Sequence, residues 1–359
     1  MQSILWLAHG LIYLTLTMFE PLNQAAANVL AIVLFVLSIS FTIAAGLSYR
    51  YSNWLVSALY KVSVIWLGML NFLTWAAALS WVADLAFRVA GQDSPVVREY
   101  VGIGIFAAAI AVSLYGFVNA RVIRERRVTV ELKNLPEAWR DRTALLISDV
   151  HLGNVNGPGF ARRVARIARR LNPSVVFLAG DVYDGARVDP EWLAHPLEAV
   201  QPPLGVYFCG GNHEDYGDAL AYEAALRGAG VEVLHDARVE LDGLQIVGVS
   251  YATASHPLRF RAFLERLRLH EGGPAILLNH VPHGLNMAEQ ARVDLQLSGH
   301  THGGQIFPFT FFTRRIFRQF THGLARLGNL QVITSSGIGT WGPPMRVGTA
   351  PEVVLITFA

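Results

Sequence analysis

Residues 144–151 read ALLISDVH, an apolar run of strand length that ends on an aspartate and a histidine two positions apart. A short continuous apolar run of this kind suits a strand buried on both faces. The same pattern recurs along the chain. Residues 174–179 lead into Gly180-Asp181, and 205–209 lead into Gly210-Gly211-Asn212-His213-Glu214. Residues 275–279 end at Asn279-His280, and 293–297 run out into Gly299-His300-Thr301-His302. Five apolar runs thus each deliver Asp, Asn or His at their carboxyl ends. In open α/β sheets that edge is where ligands bind. Core packing gives no reason for such a set.

The remaining elements fit around these strands. Residues 127–132 and 353–358 read as strands, as do 331–335. Residues 239–241 and 245–249 flank Asp242-Gly243, a hairpin signal. Helical patterning covers 159–171, 189–200 and 218–230. Strands alternating with helices predict an α/β unit, and the hairpin makes its sheets mixed.

The strand ends supply seven candidate metal ligands: Asp149, His151, Asp181, Asn212, His280, His300 and His302. A tetrahedral ion takes about four ligands, so seven are too many for one. Two divalent ions fit if a carboxylate bridges them, at a spacing of about 3.5–4 Å. Hard oxygens with imidazoles and no thiolate suit Mn, Fe or Zn without choosing among them. The one cysteine, Cys209, excludes an intramolecular disulfide.

The N-terminal third is a different material. Overall 52% of residues are hydrophobic and only 16% charged, and Arg50 and Lys61 are the only basic residues before Arg88. Residues 4–19, 26–49, 62–87 and 100–120 approach or exceed the roughly 20 apolar residues a transmembrane helix needs. The first is short and contains His9, and a signal peptide is its rival reading, although no Lys or Arg precedes it. A buried soluble bundle is the rival for all four; 26–49 has no charge and no polar stripe. The expected division is a transmembrane region at 1–122 and a globular domain at 123–359. Arg50, Lys61, Arg121, Arg124, Arg126 and Arg127 flank one side and Arg88 and Arg98 the other, which predicts a cytoplasmic globular domain. The net charge of +2 and the lack of an aromatic-basic motif give no expectation of a nucleic-acid partner.

DVH at 149–151, GD at 180–181, GNHE at 211–214, NH at 279–280 and GHTH at 299–302, in this order, resemble the calcineurin-like metallophosphoesterases. The resemblance covers about 144–358. The apolar prefix and the GHTHGGQ form are similar to a bacterial membrane-anchored subgroup, which includes enzymes resembling UDP-2,3-diacylglucosamine pyrophosphatases. The resemblance implies a four-layer α/β sandwich, two mixed sheets flanked by helices with the metals at one edge. It implies that one ion takes Asp149, His151 and His302, the other Asn212, His280 and His300, with Asp181 bridging. His213 would act beside the substrate as general acid or phosphate stabiliser. Glu214 stands where the commoner motif has Asp. The implied reaction is attack of a metal-bridging hydroxide on a phosphate ester or pyrophosphate, with the ions neutralising phosphoryl oxygens and His213 protonating the leaving oxygen.

Two stretches bear on the substrate. The helix expected at 159–171 carries Arg162, Arg166, Arg169 and Arg170, which read most simply as a solvated face. Residues 309–320, FTFFTRRIFRQF, follow the paired histidines. They read either as a partly buried lid or as an interfacial element dipping into lipid headgroups. Trp341, Pro344 and Arg346 mark a further loop expected near the substrate. Three functions follow: a membrane-anchored phosphoesterase for a lipid or lipid-linked phosphate, a tethered enzyme for a soluble nucleotide or phosphosugar, and a non-catalytic membrane scaffold with a vestigial domain. Oligomeric state is not legible in these patterns.

Overall fold

A computed structural model describes residues 2–19, 22–92, 94–269 and 273–359. The chain divides into two compact units: Met1–Asn119 together with Gly342–Val347, and Ala120–Trp341 together with Gly348–Ala359.

The first unit is helical: α1 (Gln2–Phe19), α2 (Gln24–Ser48), α3 (Trp54–Val89) and α4 (Pro95–Asn119). Asn23 and Asn53 cap α2 and α3 by accepting from Ala26 N and Val56 N, at 2.9 and 3.0 Å. All four helices are long and apolar enough to cross a membrane. Helix α3 packs against each of the others. The inward positions are mostly small or polar: Ser38, Ser63, Ala76, Ala77 and Ser80 are buried. Small residues let helix backbones approach closely where lipid offers no hydrophobic drive. Two indoles find partners between helices, Trp66 Nε1 donating to His9 Nε2 and Trp81 Nε1 to Thr15 Oγ1, both at 2.9 Å.

The second unit holds two six-stranded mixed sheets. The strands are β1 (Arg124–Val130), β2 (Thr143–Ile147), β3 (Val175–Ala179), β4 (Val206–Cys209), β5 (Val231–Val233), β6 (Ala237–Leu241), β7 (Leu244–Gly248), β8 (Ala275–Leu278), β9 (Leu295–Ser298), β10 (Gly323–Leu327), β11 (Leu330–Thr334) and β12 (Glu352–Phe358). One sheet runs β1-β12-β2-β3-β4-β5 and the other β10-β11-β9-β8-β7-β6. Between them lies a core built from Leu146, Phe177, Ile246, Ile276, Leu297 and Ile356. Helix α5 (Pro158–Leu171) and its neighbours cover the outer face of the first sheet through Val164 and Ala168. Phe260, Phe263 and Leu285 cover the second. The result is the expected four layers, with β2, β3 and β4 parallel in one sheet and β8 and β9 parallel in the other.

Some details differ from the sequence reading. Strand β1 begins at Arg124 rather than 127, and β5 and β10 were not anticipated. The helix expected over 189–200 breaks into Pro190–Ala194 and a 3-10 turn over His195–Ala199, because Pro196 has no N–H to continue the ladder. The hairpin at Asp242-Gly243 forms as expected: Leu241 pairs with Leu244, and both turn residues have positive φ.

Candidate metal centre

All seven expected ligands converge at the carboxyl ends of β2, β3, β4, β8 and β9. Three overlapping groups place ligand atoms within 4.8 Å of one another: Asp149, His151 and His302; His151, Asp181 and His213; and Asp181, His280 and His300. Asp181 and His151 are each shared by two groups. Asn212 joins through its amide oxygen, 2.9 Å from His300 Nδ1. His213, assigned to the substrate rather than to a metal, also stands close enough to ligate.

The backbone does unusual work here. Asp149, His151, Asp181, His300 and His302 all lie in the left-handed region, with φ of 54, 50, 53, 66 and 48°. Such conformations cost about 1–3 kcal/mol each for non-glycine residues and cluster at functional sites. The turns also need room. Gly180 has φ +80°, and a Cβ there would lie 2.4 Å from His280 Nδ1. A Cβ on Gly211 would sit 2.2 Å from Asp181 Oδ1.

His280 tests whether an ion fits. Its Nδ1 donates to the Ala179 carbonyl at 2.7 Å, so a neutral ring carries its lone pair on Nε2. Nε2 faces Asp181 Oδ2 at 3.0 Å without making a well-formed hydrogen bond. His151 Nε2 and His302 Nε2 likewise face each other at 3.0 Å, and His302 Nε2 lies 3.4 Å from Asp149 Oδ1. Electron-rich atoms held this close, with their residues buried, need a proton or a cation between them. The electrostatics agree. Burial lowers the His280 pKa, but the Asp181 carboxylate overrides it and pushes it up to about 10. Burial alone would raise Asp181, yet His280, His151 and His213 hold it well below the carboxylate range. A field that retains a proton so strongly suits a divalent cation. Burial, with the charge on His280, drops His300 to about 4, leaving a neutral imidazole ready to ligate.

Two acidic residues organise the loops behind the candidate ligands. Glu214 is buried, and its Oε2 accepts from Asp181 N at 2.9 Å and Gly211 N at 2.7 Å. Its Oε1 accepts from Tyr183 N at 3.0 Å. It therefore ties the β3 turn to the β4 turn, a role the longer Glu side chain fulfils. Asp184 escaped the sequence reading, although it falls three residues after Asp181 in GDVYD. Its carbonyl accepts from His213 Nδ1 at 2.8 Å. Burial raises its carboxyl to about 6. His213 is thus anchored through Nδ1, and its main-chain N–H donates to Asp181 Oδ1 at 2.9 Å. Trp341 is exposed, with its ring 5.7 Å from that of His213. Arg346 is fully buried and, like Pro344, groups with the helical unit.

Fold and site together define a hydrolase-type dinuclear centre: a two-sheet sandwich with clustered Asp, Asn and His at one sheet edge. The profile of the calcineurin-like phosphoesterases matches residues 142–304. A "Transmembrane protein with metallophosphoesterase domain" from Danio rerio is 30% identical over 85% of this chain and 74% of its own length. An "Uncharacterized metallophosphoesterase" from Aquifex aeolicus is 31% identical over 69% of this chain and 97% of its own. Among solved structures, a dimetal phosphatase from Danio rerio aligns over 55% of this chain and 88% of its own, with TM-score 0.37 and 13% identity. The chain belongs to the calcineurin-like metallophosphoesterase family. It is a metal-dependent phosphoesterase whose clustered His and Asp residues are capable of binding two metal ions. Its relatives include vertebrate as well as bacterial chains.

Proposed function

We propose that this is a multi-pass membrane phosphoesterase acting on a lipid or lipid-linked phosphate ester or pyrophosphate. In this reading 1–122 is the membrane region and 123–359 the phosphoesterase domain. The flanking arginines support a cytoplasmic domain, and the proposed setting is a bacterial inner membrane. Asp149, His151 and His302 would hold one ion, Asn212, His280 and His300 the other, and Asp181 would bridge. When bound, two divalent ions supply a nucleophilic water near neutral pH and neutralise phosphoryl charge. The chain's own part is positional. Glu214 fixes the turns that present Asp181 and Asn212. The Asp184 carbonyl holds His213 through Nδ1–H, so that as an imidazolium it would give its Nε2 proton to a leaving oxygen and return to the neutral ring.

The lipid reading rests on one observation. The helix Phe309–Phe317 follows the paired histidines and exposes Phe309, Phe311, Phe312 and Ile316. Phe317 on the same helix lies edge-on to His300, at 6.1 Å between ring centroids. Thr310 is buried beneath it, with backbone so close that a Cβ on Gly304 would meet it at 2.4 Å. An apolar face of this size, rimmed by exposed Arg314, Arg315 and Arg318, suits acyl chains under anionic headgroups. Replacing Phe309, Phe311 and Phe312 by Ser should lower kcat/KM on a lipid phosphate by on the order of 100-fold and leave a small chromogenic phosphodiester nearly unaffected. Equal losses on both would sink the lipid reading. The second reading, a tethered enzyme for a soluble nucleotide or phosphosugar, draws on Trp341, whose exposed indole beside His213 offers a base a stacking surface. Nucleotide turnover above lipid turnover in the same screen would favour it.

A further inference from the structure

Helix α5 carries Arg162, Arg163, Arg166, Arg169 and Arg170 and no carboxylate. All but Arg163 are exposed. Folding does not favour this arrangement. Arg162 and Arg166, and Arg166 and Arg170, are like charges four apart, each pair destabilising by a few tenths of a kcal/mol. Arg169 and Arg170 lie in the last turn, where the dipole favours cations, so the cost lies in like-charge crowding along the face. The compensation inside the protein is sparse. Arg170 pairs with Glu125, and Glu198 on the adjoining 3-10 turn is bonded to His195. Arg162, Arg166 and Arg169 have no ion pair among the described residues.

The tether says what this face meets. Arg121 lies two residues past Asn119, the last residue of α4. Arg163 Nη2 donates to the Arg121 carbonyl at 2.8 Å, and Arg170 is paired to Glu125 on β1. Two residues span at most about 7 Å. Whatever the angle between the units, α5 is therefore held close to where the chain leaves its last apolar helix. Exposed Arg121 and Arg127 extend the same basic surface.

We infer that α5 is an electrostatic strap whose arginine face binds the anionic headgroups of the leaflet that α4 exits. The inference rests on the membrane reading above and is independent of the substrate. It assigns a surface far in sequence from the phenylalanine helix, with a different chemistry of contact: charge alone, without apolar insertion.

The test uses the full chain reconstituted in phosphatidylcholine vesicles with or without phosphatidylglycerol. Gly159 is exposed, and a Cβ there makes only an ordinary contact with Arg162. Cys209 is buried, so a fluorophore goes selectively onto Gly159→Cys. Quenching by headgroup-nitroxide lipid should appear with phosphatidylglycerol and fade in high salt. In Arg162→Gln/Arg166→Gln/Arg169→Gln the bilayer-facing population should fall about fivefold per arginine removed, while turnover of a small phosphodiester stays at the parent level. Equal quenching in both vesicle types, or in the parent and the triple variant, overturns the strap. So does a response to added nucleic acid that exceeds the response to anionic lipid. Release of the whole chain from vesicles by carbonate would instead overturn the membrane reading on which it stands.

Discussion

The helical unit and the phosphoesterase unit bury opposite things. On α1–α4 many large apolar side chains face outward, Ile32 being 65% exposed and Trp54 79%, while small or polar Ser63, Ala77 and Ser80 lie inside beside Ile12, Val64 and Leu70. In the second unit Leu146, Phe177 and Ile276 are wholly inside and arginines cover α5. One residue alphabet thus yields two surface patterns, and the first is the one that helices able to cross a membrane would show. Water rewards burial of apolar area, whereas hydrocarbon is indifferent to it and leaves close packing and hydrogen bonds to hold helices together. The second lesson concerns charge. The helical unit keeps the buried carboxylate of Asp84 paired with Arg88 and Arg98. The phosphoesterase unit buries Asp149, Asp181, Glu214 and Glu352 outright, some for chemistry and some for structure.

Four measurements probe that contrast. The largest effect belongs to Asp181. Asp181→Asn should cut hydrolysis by at least about 100-fold and lower metal content by elemental analysis, with circular dichroism unchanged. Full activity at unchanged metal content would remove Asp181 from the centre. Next comes a buried charge outside the ligand set. Glu352 accepts from Ser336 N and pairs with Arg126 and His322, and His322 and Arg126 overcome the opposing effect of burial to hold its pKa below the usual range. Glu352→Gln should cost roughly 3–5 kcal/mol. A depressed carboxylate stabilises the fold above its unfolded pKa, and that stability is lost as pH falls through the folded pKa. The parent should therefore lose stability on acidification into and below the carboxylate range, and the variant should respond less. Parallel pH–stability curves would show the pair contributes nothing.

The smaller effects contrast the two surfaces directly. Ile32→Lys on α2 should impair membrane insertion by about 2.5–3.5 kcal/mol if Ile32 lies near mid-bilayer, read as loss from the membrane fraction. Leu220→Lys in the phosphoesterase unit starts from an even more exposed leucine, at 80%, yet should change stability by no more than about 0.5 kcal/mol. If both substitutions were equally silent, the exposed apolar face of α2 would have to be explained by something other than lipid.

Much of this was legible in the sequence because the signals are dense. Strands β3, β4 and β8 are unbroken apolar runs and β2 nearly so, and the polar residues that follow them are candidate ligands. The apolar helices announce themselves by length. What escaped did so for physical reasons. Strand β5 is only three residues long, and β10 is an edge strand whose residues alternate between half-buried and exposed, too weak a pattern to separate from loop. Asp184 acts through its carbonyl on His213, a function no side-chain motif encodes. The five left-handed ligands were invisible because φ is not written in residue type when the residue is Asp or His.

Those left-handed turns bear on portability. A list of seven side chains looks transferable to any sheet with free carboxyl ends. Here, however, Asp149, His151, Asp181, His300 and His302 project from a mirror-type backbone that ordinary strand exits do not adopt. A graft that copied the residues alone would aim their Cβ vectors elsewhere. What must travel together is the turn, the glycines beside it and the Glu214 brace, which makes the loop, and not the ligand, the smallest heritable piece of this centre.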